Sequence, residues 1–183
     1  MIIGLTGYAR SGKDTVADIL VAEHGFTRVA LADGVRELAL RIDPVLGLNM
    51  HKRPYTLSQA VHTFGWEALK STCWGPEVRR LLQEIGTGCR DLLGENVWID
   101  RLWLRHWPDA SRVVITDVRF ANEAFAVRRE FGEVWRVERP GVAAYNEHAS
   151  ERLEFDADLR IWNDRDIAGL QQEVASVIGR YRA

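Results

Sequence analysis

Short apolar runs alternate with longer segments whose apolar residues recur every three or four positions. Residues 2–5 are apolar and end before Gly7, which predicts a buried strand. Residues 13–23 carry Val16, Ile19 and Leu20 at helical spacing, and Gly25 stops that helix. Residues 27–31 predict a second strand. Asp33 is placed to cap a helix that runs to Ile42 and is closed by Pro44. Residues 43–56, with Pro, Gly, Asn and His, predict a loop. Helices follow over 57–70, 77–93 and 96–106. In the middle one Val78, Leu81, Leu82 and Ile85 share a face that excludes Arg79, Arg80 and Glu84. The β-branched run at 112–116 predicts a strand, 120–130 a helix, 133–137 a strand and 139–151 a polar loop. A strand at 158–162 and a helix at 166–181 end the pattern.

Strands alternating with helices predict an α/β fold: a central parallel sheet flanked by helices on both faces in three layers. Ligands of such sheets bind beyond the carboxyl ends of the strands. A chain of 183 residues is expected to form one domain, 1–183. Its 46% hydrophobic and 27% charged residues are ordinary for a globular protein. A net charge of −2 gives no reason to expect a nucleic-acid or membrane surface. The opening run MIIGLTG is short for a leader's apolar region and has no basic flank before it. No apolar run approaches the ~20 residues that span a bilayer. Cys73 and Cys89, without C-x-x-C spacing, suggest neither a disulfide framework nor a zinc site, so a reduced, cytoplasmic setting is expected.

Between the first strand and first helix stands GYARSGKDTVAD, residues 7–18. Gly7, Gly12 and Lys13 fit the phosphate-loop pattern G-x-x-x-x-G-K-[ST] in the context that the pattern requires. Glycines allow turns that aim N–H groups inward. The helix N-terminus favours anions, and the lysine reaches β- and γ-phosphates. Lysine occurs only at Lys13, Lys52 and Lys70, so Lys13 stands out from an arginine background. Asp14 replaces the usual hydroxyl. A carboxylate there could bind Mg²⁺ directly or through water, or complement the helix dipole, while Thr15 keeps a hydroxyl for a phosphate.

This loop, followed in order by VRRLLQEIGTGCRDLLGENVWID (78–100), VVITDVRFANEA (113–124), HASE (148–151) and ADLRIWND (157–164), resembles the phage-type deoxynucleoside monophosphate kinases along nearly the whole chain. The resemblance implies a P-loop kinase fold with a helical acceptor-binding region at about 43–107 and a lid at about 139–151. It also implies ATP and Mg²⁺ as cofactors, a dNMP as substrate, a phage or prophage source and a possible homodimer.

Phosphoryl transfer needs positioning and positive charge more than covalent chemistry. Lys13, Arg10 and Arg119 are the cations expected around the migrating group. Asp117, at a strand's carboxyl end, is expected to hold Mg²⁺, with Asp14 as a second candidate. Gly7, Ser11, Gly12, Lys13, Asp14 and Thr15 would hold the ATP phosphates, and Arg139, where the lid begins, would bring a cation to them. Asn163, after the last strand, suits the adenine edge; the family's Asn-Asp-Gly is here Asn163-Asp164-Arg165. Arg80 and Gln83 share a helix face that Thr87 and Arg90 extend, suited to a monophosphate and a base. Arg36 and Trp98 are further acceptor candidates, as are His148 and Glu151 in the lid. Asn122 and Glu123 also suit capping of their helix. Another small-molecule kinase, resembling dephospho-coenzyme A kinase or phosphomevalonate kinase, and a non-catalytic ATP-binding switch are the competing readings.

Overall fold

A computed structural model describes residues 1–48, 50–106, 112–143 and 152–181. Packing divides the chain into two compact units, one of residues 1–31 and 102–183 and the other of residues 32–101.

The first unit is built on five parallel strands in the order β2-β5-β1-β6-β7. These are β1 (Ile2–Thr6), β2 (Thr27–Val29), β5 (Val113–Ile115), β6 (Glu133–Glu138) and β7 (Leu159–Trp162). β1 lies at the centre and is apolar on both faces, as a strand covered on both sides must be. Its alternate residues go to different layers. Ile3 and Leu5 join Val114, Trp135, Val137 and Ile161 in a core under α1 (Lys13–His24) and α7 (Ile167–Gly179). Gly4 faces the other way, where a Cβ would press on Val127 of α6 (Ala121–Arg129). The three-layer α/β architecture expected from the alternation is therefore the one observed. The sequence places α1 correctly, down to its buried Val16, Ile19 and Leu20 and its Gly25 stop at φ 69°.

The second unit holds α2 (Ala32–Ile42), α3 (Leu57–Leu69), α4 (Gly75–Leu93) and the start of α5 (Val97–His106). Its core gathers Ala39, Leu57, Ala60, Leu69 and Val78, with Leu81, Leu82 and Ile85 packed on it. The apolar face expected of α4 is the face that is covered.

Three expectations need correction here. The loop expected at 43–56 contains an antiparallel hairpin of β3 (Val45–Leu48) and β4 (Pro54–Thr56). Strands this short, one starting with proline, carry too little alternation to be read from sequence. Asp33 does not precede α2 but lies in its first turn, paired with Arg36 at 3.3 Å. The helix expected at 57–70 breaks at Gly65, whose φ of 69° and ψ of 163° only glycine adopts readily. The start of α3 is fixed from outside the helix. Asp43 accepts the Ser58 N–H at 2.7 Å and its hydroxyl at 2.9 Å, and these bonds hold the Asp43 carboxyl below its ordinary value.

Candidate active site

The carboxyl ends of the parallel strands bring together the sequence segments that carry the expected donor chemistry. Residues 7–12 follow β1, Asp117 follows β5, Arg139 follows β6 and Asn163 follows β7. All lie in the first unit.

The loop between β1 and α1 is a backbone construction. Gly7 has φ +144°, and a Cβ there would lie 2.5 Å from the Val137 carbonyl and 2.8 Å from the Ser11 hydroxyl. Arg10 occupies the left-handed region at φ 69°, and the Ser11 N–H closes a turn onto the Tyr8 carbonyl at 3.1 Å. Gly12 caps α1 at φ 99°, where a Cβ would overlap the side-chain amide of Asn163. Asn163 donates from Nδ2 to the Ser11 carbonyl at 2.9 Å. The Ser11 hydroxyl is 1% exposed and has no hydrogen-bond partner among the described residues, as is true of the Thr6 hydroxyl at the end of β1. Buried polar atoms are rarely left so, and an oxygen-rich ligand in the loop is one way to satisfy them. A glycine cradle, orphaned hydroxyls and a helix N-terminus that begins with Lys13 fit a polyphosphate.

Asp14 takes a part that the sequence reading missed. Its carboxylate accepts from Arg28 of β2 at 2.5 Å, and the same guanidinium reaches Asp18 at 2.8 Å. Two carboxylates four residues apart on one helix repel unless a cation sits between them, and that spacing was the available signal. Asp14 is thus drawn towards the strand edge at β2. Thr15, half-buried, follows it in the first turn.

Asp117 is half-buried, and its Oδ1 accepts the Leu31 N–H at 2.8 Å, tying the end of β5 to the chain leaving β2. Arg119 lies two residues on. Its backbone N–H and that of Phe120 donate to Glu123 Oε2 at 2.7 and 3.1 Å. Glu123 is 5% exposed, so the capping use foreseen for it is the one observed, and it shapes the turn that presents Arg119. Arg139 is exposed just past β6. His148 and Glu151 lie outside the described residues. Arg136, not singled out from sequence, donates to the carbonyls of Leu153 and Phe155 at 3.2 and 2.5 Å.

The expected acceptor residues on α2, α4 and α5 belong to the second unit. Arg80 is bound to Glu77, Nη2 to Oε1 at 2.7 Å and Nε to Oε2 at 3.1 Å. The pairing holds the Glu77 carboxyl below its ordinary value and raises that of Arg80. Thr87 donates to the Gln83 carbonyl at 2.8 Å, and Arg90 to the Glu95 carbonyl at 2.8 Å. Arg36 stacks over Trp66, 5.7 Å from the ring centroid. Trp98 is only 8% exposed. Its Nε1 donates to the Gly86 carbonyl at 2.9 Å, and a Cβ on Gly34 would lie 2.9 Å from its ring. As placed, this indole packs α5 on α2 and α4.

No family model matches the chain. A protein of Acanthamoeba polyphaga mimivirus, provisionally named as a deoxynucleotide monophosphate kinase, is 30% identical over 199 aligned positions, covering 97% of this chain and 96% of the relative. The chain belongs to the deoxynucleotide monophosphate kinase family. The crystal structure of TT1252 from Thermus thermophilus matches with a TM-score of 0.54 at 17% identity, over 98% of this chain and 97% of that one. At that identity the likeness speaks for the fold. A dephospho-CoA kinase from Campylobacter jejuni matches with a TM-score of 0.47 at 16% identity, over 98% and 96% of the two chains. Among the described residues no helix is long and apolar enough to cross a membrane.

Proposed function

We propose that this chain transfers the γ-phosphoryl group of ATP to the phosphate of a deoxynucleoside monophosphate, forming ADP and the deoxynucleoside diphosphate. The observation that carries the reading is the glycine cradle after β1, in a chain related along 97% of its length to a protein provisionally named for this class of substrate.

The bond between the β,γ-bridging oxygen and the γ-phosphorus breaks as an oxygen of the acceptor phosphate bonds to that phosphorus. A monophosphate with a second pKa of about 6 is mostly dianionic at neutral pH, so its oxygen needs no base. The protein's task is to place two polyanions in line and offset their charge. Loop N–H groups, the N-terminus of α1 and Lys13 hold the donor's phosphates. Arg10 and Arg119 supply further positive charge at the migrating group. Arg80 exchanges Glu77 for the acceptor's phosphate, with Gln83 facing its base and Thr87 and Arg90 extending the same side of α4.

Among the described residues no three His, Cys, Asp or Glu side chains form a metal cage. Magnesium would therefore come with the phosphates, take one carboxylate from the protein and offset phosphate charge. Asp117 is the residue for it, since Asp14 is engaged by Arg28. The viral relative supports a host-cytoplasm setting.

A panel of acceptors with ATP tests the reading by ADP release. Release that depends on deoxynucleoside monophosphates is expected. Release only with a non-nucleotide acceptor such as dephospho-coenzyme A would overturn it.

A further inference from the structure

Asn163 was expected to suit the adenine edge, yet its amide is turned onto the loop between β1 and α1. The partner is the Ser11 carbonyl at 2.9 Å. A carbonyl only accepts, so the nitrogen end of the amide must face it. The backbone of Asn163 is itself fixed, its N–H donating to the Glu138 carbonyl at 2.8 Å at the end of β6. The amide is therefore anchored to the sheet and not to a mobile arm. Gly12 is complementary to it, since any Cβ there would overlap Nδ2.

In a planar trans peptide the C=O of one residue and the N–H of the next point in opposite directions. Holding the Ser11 carbonyl on Asn163 therefore aims the Gly12 N–H the other way. Gly12 is the N-cap of α1, at φ 99°, a conformation that a free loop has no need to keep.

We propose that Asn163 is a positioning residue for the phosphate loop, setting the Ser11–Gly12 peptide so that its N–H serves the polyphosphate, whatever base the nucleotide carries. This rests on the reading of the loop as a polyphosphate site. It also changes the part given to Asn163 from recognition of a base to shaping of a cradle.

The test separates base from phosphate. Calorimetry in one buffer measures binding of ATP and of inorganic tripolyphosphate, which has no base, to the wild type, Asn163→Ala and Asn163→Asp. Both variants lack the donor, and the second keeps the side chain's size while setting an oxygen against the Ser11 carbonyl. Each variant is first checked by circular dichroism, and an unfolded Asn163→Ala leaves Asn163→Asp as the readout. The expected result is a loss of about tenfold, the size of one lost hydrogen bond, equal for both ligands. A loss for ATP alone would show a base-reading residue and overturn the proposal. Unchanged binding of both ligands would also overturn it. If the wild type bound neither ligand, the polyphosphate reading itself would fail, and the proposal with it.

Discussion

The phosphate loop and the polar side of α4 are both expected to grip phosphate, but they are prepared for it in different ways. The loop is shaped by backbone. Gly7 and Gly12 hold positive φ angles, Arg10 joins them at φ 69°, and Asn163 fixes the Ser11 carbonyl. Its orphaned hydroxyls are buried. On α4 the groups are side chains, and three of them bond to neighbours: Arg80 to Glu77, Thr87 to the Gln83 carbonyl and Arg90 to the Glu95 carbonyl. One region has its shape set by backbone, and the other would have to exchange partners to bind a phosphate. A preformed cradle discriminates little between nucleotides, whereas an exchange of partners makes affinity depend on what the ligand offers in return.

The contrast breaks most sharply at Lys13. Lys13→Ala should lower kcat/KM by about a thousandfold through loss of charge at the migrating phosphoryl group. Circular dichroism should stay native. Turnover near the wild-type rate would remove the loop from the reaction.

Gly12→Ala tests whether the cradle is backbone. It forces a Cβ into φ 99° and onto the Asn163 amide, so a loss of about 1–3 kcal/mol in stability is expected, read by thermal melting, together with weaker ATP binding. An unchanged melting temperature would mean that the loop is looser than described.

Arg80→Ala is the counterpart on α4. It should raise KM for the monophosphate by about ten- to a hundredfold and leave KM for ATP within about twofold. A rise for ATP alone would reverse the donor and acceptor assignments. Stability should hardly change, because the pair it breaks is solvent-exposed.

Smaller effects lie at the edges of the first unit. Arg28→Ala removes the partner of Asp14 and Asp18, with side chains 39%, 65% and 71% exposed. A cost of about 0–1 kcal/mol in urea unfolding is expected, since solvent screens such pairs. A loss of activity beyond that scale would give Asp14 a direct part in the site. Tyr181 supplies a pH-dependent term. Its hydroxyl donates to Glu133, which also accepts from Trp135 Nε1, and burial with that bond raises the phenol from 10.0 to about 12. The folded state favours the protonated phenol. Its contribution is therefore complete below pH 10 and is lost as pH climbs towards 12. Tyr181→Phe should flatten that part of the stability profile, and an unaltered slope would contradict the assignment.

What could be read from the sequence follows the same division. The shape of the loop after β1 was legible because its requirements are local: glycines at 7 and 12, a strand before and a helix after. The buried faces of α1 and α4 were legible because helical period is local as well. Features made by distant residues were hidden. Arg28 meets Asp14 only because β2 packs at the edge of the sheet near α1. Asn163 meets Ser11 across 152 positions of sequence. The packing of Trp98, an acceptor candidate by its block, over Gly34 far away in sequence was hidden in the same way. The hairpin of β3 and β4 was missed because a few residues on either side of a turn carry no period.

Transfer of label from γ-labelled ATP tests the central claim most directly. With a deoxynucleoside monophosphate present, the label should move into the β-position of the deoxynucleoside diphosphate and cease to do so in Lys13→Ala. Label released only as inorganic phosphate, or retained in ATP with every deoxynucleoside monophosphate, would contradict the account.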